Sequence, residues 1–258
     1  LRKIMNHPVL DNFKINDPKV IRAWAFYDWA NSAFALVITT AIFPAYYLAI
    51  TNDVIEVFGL QMSNSALYAF IITVAYIILT LASPLLSGMA DYSGRKKQFL
   101  LLFTLLGSFS CIGLFFFQGM EQILLGTFLF LLGLIGFAGG LVFYNAFLPE
   151  IASPDQYDRV SAKGFSLGFL GSLILLSFCL FMIQKPGYFG MDEGTTLPVR
   201  LSFVIVGCWW LFFSLRSLSK LPESIIHKPY ENPFKNGMNE FLKVWKSSRQ
   251  YPELYKFL

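Results

Sequence analysis

The sequence predicts an all-α integral membrane protein with six transmembrane helices and both termini in the cytoplasm. Three observations predict it. The chain of 258 residues is 55% hydrophobic and only 14% charged, where a soluble domain carries about 25% charge. Its mean hydropathy is +0.56, and a soluble fold of this size cannot hide so much apolar surface from water. Second, six apolar stretches approach the roughly 20 residues that a helix needs to cross hydrocarbon. They run over 24–50, 66–88, 99–117, 122–148, 162–183 and 199–219, and none keeps the polar face of a soluble helix. Third, the basic residues alternate between successive loops.

The elements follow in order. Residues 1–23 are polar and mixed in charge and read as a cytoplasmic tail, with no apolar core of the signal-peptide type. Residues 24–220 form the six-span bundle. Lys and Arg sit in the N-terminal tail, in the loop after span two (Arg95, Lys96, Lys97), in the loop after span four (Arg159, Lys163) and from Arg216 onward. Those segments hold 18 of the 20 basic residues; the other loops hold only Lys185 and Arg200, beside Asp53, Glu56, Glu121, Asp192 and Glu193. Positive charge stays inside, so both ends are cytoplasmic, as an even number of spans requires. Residues 221–258 read as a cytoplasmic linker. Within it Phe234, Met238, Phe241 and Trp245 recur at helical spacing among Lys243, Lys246 and Arg249. That pattern fits either a basic amphipathic helix on the inner membrane face or a solvated linker helix. The closing "YPELYKFL" turns apolar again, as at the start of a further span.

Several function classes drop out. The basic clusters are loop clusters and do not suit nucleic acid. Cys111, Cys179 and Cys208 each lie in an apolar run without metal-ligand spacing. No Ser-His-Asp set and no phosphate-binding loop is present, so neither an enzyme nor a cofactor is expected. Membrane lipids and a small-molecule substrate are the expected partners.

Span one poses the sharpest question. Asp28 stands in "RAWAFYDWANSAFALVITT", where a carboxylate beside hydrocarbon is costly. Asp28, Asn31 and Ser32 fall at i, i+3 and i+4 and share one helix face, with Tyr27 at its border. Further along, small residues mark close helix packing: Gly133, Gly136, Gly139 and Gly140 in span four, and Ser161, Gly164, Gly168, Gly171 and Ser172 in span five.

Between spans two and three stands "PLLSGMADYSGRKKQFL". Gly94 permits a tight turn. Asp91 can accept from N–H groups at a helix start or pair with a guanidinium on a neighbouring helix. Arg95, Lys96 and Lys97 can reach lipid phosphate. The stretch resembles the loop motif of the major facilitator superfamily, G-x-L-A-D-R-x-G-R-K-x-x-L. Ala90, Asp91, Gly94, Arg95 and Lys96 match; Ser87, Met89, Tyr92 and Phe99 depart from it, and Tyr92 removes one expected charge contact. Two further stretches, "WAFYDWANSAFALVITTAIFPAYY" and "YNAFLPEIASPDQYDRVSAKGFSLGFLGS", resemble the vacuolar efflux permeases of the autophagy-related type and their bacterial relatives.

That resemblance implies the N-terminal six-span half of a twelve-span carrier that works by alternating access, exporting a small polar solute such as an amino acid. The membrane would be the cell membrane in a bacterium or the vacuolar membrane in a fungus. The missing C-terminal half, or a second copy acting in a homodimeric carrier or channel, would complete the cavity; a lipid enzyme is a third reading without a catalytic cluster. Asp91, Gly94, Arg95 and Lys96 would form a cytoplasmic gate, together with Arg159 and Lys163. Asp28 would pair with Arg159 or Lys163, or else couple protons or contact substrate, with Asn31, Tyr27, Tyr144 and Asn145 binding polar substrate atoms. Glu150 reads as a helix-end acid first and a proton site second. Gly136, Gly140, Gly164, Gly168 and Gly171 would let helices pack or slide.

Overall fold

Asp17 opens the first helix. Its carboxylate accepts the Lys19 N–H at 2.8 Å, and Pro18 fills the first helical position, where no donor is needed. In the computed structural model, which describes residues 14–57, 59–93 and 95–222, α1 runs over Pro18–Ala33. The chain then widens into a π-helix at Phe34–Ile42 and narrows again into α2 at Phe43–Ile50. Together these make one apolar span, Pro18–Ile50, which starts a turn and a half before the stretch expected from 24. The widening was not expected. Pro44 explains where it occurs, because a proline ring clashes with the carbonyl four residues back and offers no N–H.

Five more helices are long and apolar enough to cross a membrane: Asn64–Ser83 within α3 (Asn64–Ser93), then Lys96–Phe116, Met120–Ile151, Pro154–Gln184 and Leu197–Leu218. They contain α4 (Lys96–Gly113), α5 (Ile123–Ile151), α6 (Tyr157–Gln184) and α7 (Leu197–Leu218). The protein is a multi-pass, all-α integral membrane protein, with 83% of its described residues in helices. One small exception stands between spans one and two. β1 (Val54–Val57) and β2 (Leu60–Ser63) pair antiparallel, Val54 with Ser63 and Val57 with Leu60. Gly59 takes φ +78° at their turn, and the fully buried Ile55 pins the hairpin to the bundle.

α1 packs against α6 and α7, α4 against α5 and α7, and α3 against α5. One aromatic core surrounds the far half of span one, where Phe43 stacks on Phe130 at 4.2 Å and the Tyr46 hydroxyl donates to the Phe117 carbonyl at 2.6 Å. A second core at the opposite end collects Trp24, Tyr27, Leu100, Phe143, Tyr144 and Phe147. Outward faces carry exposed Leu81, Phe128, Phe165, Phe169 and Phe212. Lipid tails are as apolar as these side chains, so the helices associate by close packing rather than by escape from solvent.

Both described ends of the chain meet at the basic end of the bundle. The Asn16 N–H donates to the Ile151 carbonyl at 2.9 Å, and Lys97 Nζ donates to the Leu221 carbonyl at 3.1 Å. An even number of crossings does this. Residues 1–13 of the expected N-terminal tail and all of the linker from 223 on, with its amphipathic pattern, lie outside the described residues.

Candidate functional site

The site grows out of three side chains of α1 and the floor beneath them. Asp28 is 4% exposed. Its Oδ1 accepts from the Ser32 hydroxyl at 2.8 Å, the i, i+4 pair read from the sequence. The other oxygen faces α6: a methyl group placed on Gly168 would stand 2.8 Å from Asp28 Oδ2 and 2.7 Å from Ser32 Oγ. Glycine is therefore required at 168 to make room for polar side chains arriving from α1, as well as for close helix approach.

One turn nearer the basic end the same floor receives a tyrosine. A methyl group on Gly164 would stand 2.7 Å from the Tyr144 hydroxyl and 3.1 Å from the Trp24 ring. Trp24 stacks on Tyr144 with ring centroids 4.2 Å apart, and Tyr27 lies 5.3 Å from the same ring. The Trp24 indole N–H donates to the Tyr144 carbonyl at 2.9 Å, and the Tyr27 hydroxyl shares a hydrogen bond of 2.9 Å with Thr104. Span one thus meets spans three, four and five through its aromatic side chains.

Two groups at this place lack partners among the described residues. Both amide atoms of the fully buried Asn31 make no hydrogen bond, and neither does the Tyr144 hydroxyl. Buried polar atoms in native proteins are nearly always satisfied, so these groups beside a buried carboxylate make the place the candidate site. Asp28 itself forms no ion pair among the described residues. Arg159 and Lys163 are exposed, and the expected pairing of Asp28 with either one is not found. The acid turns onto the glycine floor of α6 instead, away from the loop cations. Spans one and five do come together, through glycine rather than charge.

The other expected residues divide. Lys96 leaves the basic loop and turns inward, buried to 3%. Its ammonium donates to Glu150 Oε1 at 2.7 Å and to the Ala146 carbonyl at 3.1 Å. Glu150 is thus joined to the loop motif across α4 and α5, away from Asp28. Arg95 stands exposed at the start of α4. Asp91 lies in the last turn of α3, but its side chain is not among those described, and Gly94 lies outside the described residues. Asn145 is exposed and takes no part in the cluster. Trp24 and Thr104 belong to the site and were missed. Trp24 falls four residues before Asp28, the helical spacing that could have found it; Thr104 carried no local signal.

The geometry gives a buried, tightly packed polar cluster walled by aromatic rings on the first span of a membrane bundle, with an ion-paired cross-link at the basic end. Comparison with known proteins bears directly on it. The family model described as "Vacuole effluxer Atg22 like" matches residues 16–258. The chain belongs to the Atg22-like vacuole effluxer family. Proteins similar to it include the MFS-type transporter YxiO of Bacillus subtilis, 32% identical, with 92% of this chain and 54% of that protein covered. Autophagy-related protein 22 of Coccidioides immitis is 20% identical over 82% of this chain and 50% of its own length. Its namesake in Yarrowia lipolytica is 25% identical over 80% and 47%. The chain spans about half the length of these relatives. No solved structure matches it. Asp28, Tyr27, Asn31 and the whole of the loop motif fall inside the segment that the Atg22-like model matches.

Proposed function

We propose that this chain is the N-terminal half of a secondary active transporter of the major facilitator type that exports a small polar solute, an amino acid in the reading its resemblance favours. The basic end faces the cytoplasm. Transport runs by alternating access, with the substrate site between this half and a second six-helix half. Asp28 is the coupling acid. Asn31, Tyr27 and Tyr144 offer polar atoms and ring edges to substrate as the cluster opens. Asp91, Gly94, Arg95 and Lys96, with Glu150 as the inner partner of Lys96, form the cytoplasmic gate.

The observation that carries this reading is the buried Asp28 beside Asn31, whose two amide atoms are unsatisfied. An intramembrane acid that meets a hydroxyl, a glycine and two tyrosines, without a cation beside it, is a site where a proton or a substrate charge is taken up and released. Family membership and the name of the Bacillus subtilis relative support the carrier reading.

The test is export from proteoliposomes carrying the protein at its natural length, with radiolabelled amino acids inside and a pH step imposed across the membrane. Asp28→Asn should abolish the acceleration by the pH step and leave solute exchange without a gradient largely intact. Wild-type export by that variant at every pH would remove Asp28 from coupling.

A further inference from the structure

The π-helix at Phe34–Ile42 has an unusual accounting of backbone hydrogen bonds. At its exit the Phe43 N–H donates to the Ile38 carbonyl, five residues back. In an α-helix that N–H would serve Thr39. The next residue that could serve Thr39 in the π pattern is Pro44, which has no N–H. The Thr39 carbonyl therefore has no donor within its own helix. A buried carbonyl without a donor is costly inside a membrane. Here the donor comes from span two: the Tyr68 hydroxyl reaches the Thr39 carbonyl at 3.1 Å. A second side chain supports the same register, with the Thr40 hydroxyl donating to the Ala35 carbonyl, five residues back, at 2.9 Å.

We propose that this segment is a register switch in span one and that Tyr68 is the latch holding it in the π register. In the α register the Phe43 N–H would satisfy Thr39 itself, the Tyr68 hydroxyl would be released, and Pro44 would leave Thr40 unserved instead. The α register thus leaves one carbonyl without an intrahelical donor and the π register two, because Thr39, Thr40 and Ala41 then share the single Ala45 N–H. The Tyr68 hydroxyl makes up the difference. Each five-residue closure that tightens to four changes the phase between the flanking helices by up to one residue, about 100°.

Both flanks are anchored. α2 sits in the aromatic core through Phe43 on Phe130, 4.2 Å apart, and Tyr46 on the Phe117 carbonyl. α1 is held on α7 by hydrogen bonds from Trp209 to the Trp29 carbonyl at 3.2 Å and from Ser217 to the Ala23 carbonyl at 2.5 Å, and on α5 by Trp24 stacked on Tyr144 at 4.2 Å. The phase change turns α1 relative to α2. A turn of α1 carries Asp28, Asn31 and Ser32 off the glycine floor of α6, and these contacts set its barrier. The use of the switch rests on the carrier reading above. Its existence does not, and the experiment reads the register alone.

The experiment places spin labels at Arg22→Cys and Gln98→Cys, both exposed, in a Cys208→Ala background in lipid nanodiscs. Distances are measured by pulsed dipolar spectroscopy with and without Tyr68→Phe. The Phe variant keeps the ring, which packs on Tyr47 at 5.7 Å and on Phe130 at 5.5 Å, and removes only the donor. The expected result is a second distance population that rises about five-fold in the variant, the ratio that one net hydrogen bond carries. A distance distribution that Tyr68→Phe leaves unchanged overturns the switch. Neither result depends on transport.

Discussion

Two seams of this bundle are lined with glycine, and they use it for opposite ends. Between α4 and α5 Gly136 brings backbone to backbone, while Gly139 lies against the Phe103 ring. A methyl group on Gly136 would stand 2.5 Å from both the Cα and the N of Gly107, and 2.9 Å from the Phe103 carbonyl oxygen. The same seam is closed at the basic end by the buried pair of Lys96 and Glu150. Between α1 and α6 the glycines bring backbone to side chain. Gly164, Gly168 and Gly171 lie under Tyr144, under Asp28 with Ser32, and under the Trp29 ring. At Gly136 the first seam has no freedom, since main chains cannot rotate out of each other's way. The second is built of rotatable polar and aromatic groups resting on a smooth floor. The difference separates a fixed frame from a surface that can rearrange, and it places the candidate site on the latter.

The comparison breaks most readily at the ion pair. Lys96 and Glu150 have side chains only 4% and 8% exposed. Removing one partner of such a buried pair costs about 3–5 kcal/mol. Lys96→Met should lower the thermal midpoint in detergent sharply, and Lys96→Met with Glu150→Gln should recover much of the loss, because no buried charge is then left alone. If the double variant is no better than the single one, the pair does not close the frame.

Gly136→Ala comes next. The added methyl meets main-chain atoms that no rotamer change can move, so the helices must part; overpacking of this kind costs about 1–3 kcal/mol. Thermal denaturation and the fraction recovered as monodisperse protein would check it. An unchanged midpoint would mean that the α4–α5 seam adapts like the other one.

How much of this contrast the sequence carried depends on range. The six spans, the basic turn between spans two and three, and the shared face of Asp28, Asn31 and Ser32 follow from local periodicity and charge, and they stand in the fold. The glycine runs were visible too, but not what each would meet. Partner choice across the fold has no local signal: Glu150 lies 54 residues from Lys96, and nothing near either residue names the other. One of the two readings of Asp28, a pairing with Arg159 or Lys163 in the loop after span four, follows from the rule that buried charge is paired, whereas those cations stand exposed and the acid rests on α6. The π-helix escaped for a related reason. Pro44 announces a break in span one, but whether the chain kinks or widens depends on who serves the orphaned carbonyl, and the answer is Tyr68, 29 residues away.

The smallest stability change, and the most informative, belongs to Gly168→Ala. The new methyl would stand 2.7 Å from Ser32 Oγ and 2.8 Å from Asp28 Oδ2, both at the ends of side chains that can turn. Alanine also favours the helix over glycine by about 1 kcal/mol, which offsets much of the crowding. The thermal midpoint should therefore move by no more than a few degrees, in clear contrast to Gly136→Ala. Export should nevertheless fall several-fold, because Asp28 loses its place on the floor and the Ser32 hydrogen bond must bend or break. Measured side by side, the two alanine variants separate the seams: stability falls at Gly136, transport falls at Gly168. Equal losses of stability would make both seams frame, and the placement of the candidate site on α1 and α6 would lose its physical basis.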